Sequence, residues 1–192
     1  MKHIVFAALC LLCATLLLAA LPTEAEARIY DDTLRLHVLA ASDSDEDQSI
    51  KLMVRDRLLE VYGERLREAS TLEEAAATVE ALLPTVQEDV NAWLAAWDVP
   101  YGATVTLSRE AYGTRFYDGF ALPKGEYLSL RVLLHEGEGK NWWCVMYPPM
   151  CLTLSEGEER VQGYTDEQWR LIDGGGRTVK FKLLELLSDL LG

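Results

Sequence analysis

Reactive and cross-linking side chains are scarce in this sequence: 4 Cys and 3 His in 192 residues. Cys10 and Cys13 lie inside an N-terminal apolar run, so only Cys144 and Cys151 belong to the rest of the chain. That excludes a small domain stapled by disulfides, and stability has to come from burial. The sequence has no G-x-S-x-G elbow and no H-x-x-x-H spacing, and its C-x-x-C pair, Cys10-Leu-Leu-Cys13, lies inside the apolar run, which leaves the usual local signatures of hydrolases and zinc sites unfilled in the rest of the chain. Basic residues are few, 18 Lys and Arg against 31 Asp and Glu, for a formal charge of −13 spread along the chain. No basic groove can be built from such a pattern, so neither nucleic acid nor an anionic membrane is expected as a partner. Internal repeats and a second hydrophobic block are absent as well, and one domain is expected.

At the N-terminus, Lys2 and His3 precede the apolar run Ile4 to Leu21, and Ala25-Glu26-Ala27 supplies the small-x-small pattern of a signal-peptidase site. Residues 1–27 therefore read as a signal peptide, cleaved after Ala27 to give a mature chain beginning at Arg28. The alternative is an uncleaved membrane anchor, since the run just reaches the length of a spanning helix. The mature chain is large enough for one domain with a proper core.

Leu34, Leu36 and Val38 alternate with Arg35 and His37, the pattern of a half-buried strand. After the acidic run Asp43 to Asp47, Ile50, Met53, Val54, Leu58, Val61, Tyr62 and Leu66 recur at helical spacing, with Ser44 as the expected N-cap and the carboxylates at the positive end of the dipole. Thr71 with Glu74 opens a second helix that Pro84 is expected to end, and a third is expected beyond it with Val86, Val90, Trp93, Leu94 and Trp97 on its buried face. Val105 and Leu107 mark one later strand, and Leu128 to Leu134 another. The Gly-punctuated reversal at 136–141 predicts that Trp142 to Tyr147 returns as the hairpin partner of 128–134, ended by Pro148-Pro149. Residues 155–176 read as a polar, Gly-rich linker, and Val179 to Leu190 as a terminal helix. The fold class is α+β, an antiparallel sheet of about four strands with helices on one face, an N-terminal signal helix and a C-terminal helix. Its boundaries are 1–27 for the signal peptide, 28–154 for the domain, and 155–192 for the linker and terminal helix.

Several constellations invite a chemical reading. Asp43, Asp45 and Asp47 have the spacing of a calcium loop's start, but Gln48 stands where the loop needs Gly and Val54 where it needs Glu, so helix capping is the better account. His37 with Ser42 or Ser44 and a nearby carboxylate would make a hydrolytic set only if the fold joined them. His135, Cys144 and Cys151 would bind zinc only on the same condition. Cys144 and Cys151 flank Pro148-Pro149; two buried thiols are the favoured reading, and a short disulfide is geometrically open to them. Strand alternation should send one of Trp142 and Trp143 inward and the other outward, beside Tyr147 and the prolines, as a protein-binding hot spot.

Two segments, Arg35 to Gln48 and Gly137 to Cys151 with its W-W-C and P-P, resemble the hallmark segments of the stage II sporulation protein R family. Leu122-Pro123, Gly125-Glu126-Tyr127, Leu130-Arg131-Val132 and Lys51 to Asp56 match between them, so the resemblance runs from about Leu34 to Cys151. Ala41 and Asp45 depart from the Asn and Pro usual there, and the tract at 112–114 also differs. The resemblance implies a non-enzymatic signal, made in the forespore and exported into the space between forespore and mother cell. There it would bind the extracytoplasmic face of a membrane-embedded aspartic protease and trigger processing of pro-sigma E. Asn141, Trp142, Trp143, Tyr147, Pro148 and Pro149 are the expected contact residues. No catalytic residue, metal, cofactor, nucleic acid or small-molecule substrate is expected. A secreted hydrolase and a metal-binding module are the competing readings.

Overall fold

The computed structural model describes residues 2–20, 29–117, 120–150 and 163–173. Helix α1 (Lys2–Ala20) carries the apolar run, and Ile4, Val5, Phe6, Leu11 and Leu12 on it are all exposed. Ile29 is fully buried. The elements that follow are β1 (Leu34–Leu39), α2 (Asp45–Arg67), α3 (Leu72–Ala96), β2 (Ala103–Tyr112), β3 (Arg115–Tyr117), β4 (Phe120–Leu122), β5 (Gly125–Leu134), β6 (Asn141–Tyr147) and α4 (Asp166–Ile172).

The class is the expected one, an α+β domain with a four-stranded sheet, in the order β2-β5-β1-β6, and helices packed on it. The expected hairpin between 128–134 and 142–147 does not form, because β1 lies between these strands, parallel to β5 and antiparallel to β6. The connection at 135–140 has to cross the end of β1, a span of two strand spacings or about 10 Å. Backbone contacts fix its course: Gly139 N–H donates to Ala40 O at 2.9 Å, and Lys140 N–H to Asp43 Oδ1 at 2.8 Å. A Cβ on Gly139 would stand 2.1 Å from the Ser42 carbonyl oxygen, so only glycine allows this crossing.

One face of the sheet carries Leu34, Leu36, Val38, Val105, Leu130, Val132, Leu134 and Met146 against Val54, Leu58, Val79, Val86, Val90 and Leu94 of the two helices. Helix α2 starts as read, with the Ser44 hydroxyl accepting from Asp47 N–H at 3.1 Å. In place of the two helices expected around Pro84 there is one, α3, with the proline inside it. The buried positions Ala75, Val79, Val86, Val90 and Leu94 keep one helical phase across the proline. Pro84 and Glu80 both face solvent, where water can serve the carbonyl that the proline leaves without a donor.

The opposite face differs from expectation too. All six residues of β1 are buried, including Arg35 and His37, so it is not a half-buried strand. A second core covers that side at one end of the sheet: Ile29, Tyr112, Leu122, Tyr127, Val145, Met150, Tyr164, Trp169, Leu171 and Ile172. It includes helix α4, inside the stretch read as linker, which starts with a capping box on Thr165 and Gln168. Gln168 Nε2 donates to Asp32 Oδ2 at 2.6 Å, and the Thr33 and Tyr164 hydroxyls are 2.5 Å apart, tying α4 to the start of the domain. The expected terminal helix at 179–190 lies outside the described residues.

Candidate partner-binding site

The two signature segments are neighbours in space. β1 and β6 pair directly, with Val38 opposite Trp142, His37 opposite Trp143 and Leu39 opposite Asn141. Alternation then places Trp142 and Trp143 on opposite faces. Each is half-buried, so neither is the fully outward residue that was expected. Arg55 of α2 lies 4.9 Å over the Trp142 ring, and Arg115 of β3 lies 3.7 Å over Trp143. Tyr147 and Pro148 are buried, while Pro149 is half-buried and Asn141 exposed.

His37 is the centre of the polar cluster on the face away from α2 and α3. Its Nδ1 is 3.2 Å from both oxygens of Glu110, and its Nε2 is 3.1 Å from Asn141 Oδ1. With Glu110 ionised, Nδ1 carries the proton and donates; Nε2 of the neutral ring then accepts, which sets the Asn141 amide with its NH2 end toward the ring. The imidazole stacks on Trp143, with centroids 5.7 Å apart. Glu110 also accepts from the Tyr112 hydroxyl at 3.2 Å and faces Arg131 Nε at 3.5 Å. Burial pushes its carboxyl up, but the bonds from His37, Ser129 and Tyr112 outweigh burial and hold it below the usual value.

Deeper on the same face, Arg35 is fully buried, with its guanidinium 4.0 Å from the Tyr112 centroid and 4.9 Å from that of Tyr127. It donates through Nη2 to the Tyr117 hydroxyl, while Nε and Nη1 have no hydrogen-bond partner among the described residues. Burial pushes the Tyr112 and Tyr127 hydroxyls up, so both stay neutral donors.

The hydrolytic set is not joined. The Ser42 hydroxyl donates to Asp47 Oδ2 at 2.5 Å, and Ser44 caps α2; neither meets His37. The bonds from Ser42 and Tyr101 hold the Asp47 carboxyl low, in a capping role. The zinc set is not joined either: His135 stacks on Tyr101, and Cys144 is disulfide-bonded, which corrects the favoured reading of two buried thiols. Cys10 and Cys13 are free, and Cys151 lies outside the described residues. Among the described residues no group of His, Cys, Asp and Glu could hold a metal.

Glu110, Arg115 and Arg131 were not foreseen as site residues. Glu110 is 73 residues from His37 in sequence, and nothing local marks it. The one available hint was His37 itself, a titratable residue on a strand otherwise suited to a core.

Fold and site together define an α+β domain with an apolar helical layer on one side of its sheet and a rigid arginine–aromatic–carboxylate layer on the other. The sequence profile of stage II sporulation protein R matches residues 30–156. The chain is also similar to stage II sporulation protein R of Bacillus subtilis (strain 168), 32% identical over 185 residues that cover 84% of this chain and 83% of the relative. The chain belongs to the stage II sporulation protein R family. No solved structure matches it.

Proposed function

We propose that this chain is an exported sporulation signal that binds the extracytoplasmic face of a membrane-embedded aspartic protease and activates it, without catalysis of its own, so that pro-sigma E is processed in the mother cell. One observation carries the reading: the two segments most specific to the family pair side by side, with the exposed Asn141 and half-buried Trp143 held by the buried His37. These residues hold one another through filled hydrogen bonds and stacked rings, as a preorganised interface does. Export agrees with the exposed apolar helix at the N-terminus. In the compartment beyond the membrane Cys144 can keep its disulfide, and Cys151 is the one cysteine left to share it. Mass spectrometry of exported protein should find a first residue of Arg28 and, without reduction, a peptide joining Cys144 to Cys151.

The test of function is pro-sigma processing by protease-containing membranes mixed with purified mature domain, read beside co-sedimentation with the same membranes. Trp143→Ala should lower binding and processing in parallel, by about tenfold or more for a buried aromatic anchor. A variant in the His37, Glu110 pair that binds normally yet processes nothing would transfer the case to the hydrolase reading.

A further inference from the structure

The sheet has an outer edge at β2, and its two halves are finished differently. In the first half, α3 closes it: Ala103 N–H donates to Asn91 Oδ1 at 2.9 Å, Gln87 Nε2 donates to Ala103 O at 2.7 Å, and Val105 N–H donates to Gln87 Oε1 at 2.8 Å. These side-chain amides occupy the positions that peptide groups of a neighbouring strand would take. By the same alternation the N–H and C=O groups of Leu107, Arg109 and Ala111 also point away from β5. No described residue bonds them there. The open stretch runs about 14 Å at 3.4 Å per residue. β2 pairs with β5 without a register shift over its whole length, and it contains no proline. Bulges and prolines are the ordinary protections of an exposed edge, and Arg109 is the one cation here.

We infer that the outer edge of β2, from Leu107 to Ala111, is a strand-addition site for an extended segment of the partner protein that carries a carboxylate opposite Arg109. The inference deepens the binding role proposed above and rests on it. Charge selects the occupant. A second copy of this chain, antiparallel and centred on Arg109, would set Arg109 against Arg109, and each copy brings a charge of −13. A partner carboxylate has weak competitors: Arg109 Nη1 donates to Glu126 O at 3.3 Å, and Nη2 meets Asp31 at 3.4 Å with side chains 53% and 66% exposed, a pair that water largely screens. On the other face of the edge, Thr106 and Ser108 are exposed and suit small or hydroxyl-bearing side chains on the incoming strand. Main-chain bonds supply affinity in such an arrangement, and the side chains supply register.

Proline separates this edge from the rest of the sheet. Arg109→Pro removes an outward N–H and the cation, but no bond of the ladder to β5, so the domain should keep its circular dichroism spectrum. Arg109→Glu keeps the N–H and reverses the charge, and Ala111→Pro tests the backbone alone. Co-sedimentation of the mature domain with protease-containing membranes should weaken about tenfold for each Arg109 variant, the weight of one or two good hydrogen bonds, and less for Ala111→Pro. Unchanged binding by folded Arg109→Glu and by either proline variant overturns the inference, as does a dimer of the mature domain that Arg109→Pro dissolves. If Trp143→Ala loses binding while every edge variant keeps it, the edge inference falls and the proposed function stands. Absence of binding by the unsubstituted domain overturns both.

Discussion

Neighbouring residues on β1 live in different chemical worlds. Leu36 faces α2 and α3 among side chains with no charge to satisfy, whereas His37 faces a layer in which ring nitrogens and carboxylate oxygens are matched one to another. The helical side is held by area removed from water, about 25 cal/mol per Å², and is indifferent to which apolar residue supplies it as long as volume is kept. The other side is held by geometry. It depends on Glu110, His37, Asn141, Arg115 and Trp143 standing where they do, and its outer members reach solvent. Burying the Arg35 guanidinium among the rings of Tyr112, Tyr117 and Tyr127 costs desolvation that an apolar side chain would not, so the division suggests that one layer stabilises the domain and the other presents a fixed surface.

The largest test of that division is a pair of adjacent substitutions. Leu36→Ala should cost about 2 to 5 kcal/mol, the usual range for a truncated core leucine, seen as a lower urea midpoint. His37→Ala should cost less, about 1 to 2 kcal/mol for the lost bonds, and should lower processing in protein that is still folded. Equal stability losses at 36 and 37, with processing following stability alone, would erase the distinction between the faces. Ser44→Ala, at the start of α2, should cost about 1 kcal/mol as a lost N-cap and leave processing intact.

The helical layer was legible in the sequence because it is written in local periods: the stripe of α2, the Ser44 cap and the alternation of β1 and β5 each follow from residues close together. Pro84 misled because a proline on the solvent side of a helix costs one carbonyl partner that water replaces, while the apolar stripe on the other side runs on unbroken. The hairpin misled for a different reason. A glycine-rich reversal between two strands says that the chain turns, not that the strands pair, and the insertion of β1 is a long-range event with no local mark. The aromatic layer was the least legible. Its cluster joins residues from β1, β2, β3, β5 and β6, and the α4 contribution came from a stretch whose polarity resembled a linker although Trp169, Leu171 and Ile172 were present to form a buried face.

A smaller effect of opposite sign is expected at Arg35. Among the described residues no carboxylate pairs with Arg35, and replacing such a buried cation by an apolar side chain of similar length is commonly neutral or stabilising, so Arg35→Met should leave the urea midpoint unchanged or raise stability by about 1 kcal/mol. The alternative outcome is informative: a loss above about 2 kcal/mol would mean that the rings of Tyr112, Tyr117 and Tyr127 compensate the charge more fully than stacked cation contacts usually do.

The smallest effect separates the faces by pH. Glu110 keeps its carboxyl below the usual value in the folded protein, so its ionised form favours folding at pH values above the unfolded carboxyl's value of about 4.3. That contribution is lost as the pH falls through the lower folded value, where both states are protonated. Glu110→Gln should therefore be less stable than the parent at pH 7, and the difference should close as urea midpoints are followed into acid. His37, Tyr112, Ser129 and Arg131 all face the carboxylate, and each interaction weakens once it is neutral. The Leu36→Ala deficit has no titrating group behind it and should stay the same over that range. If the Glu110→Gln deficit persisted undiminished in acid, its origin would be lost packing, and the second face would be held in the same way as the first.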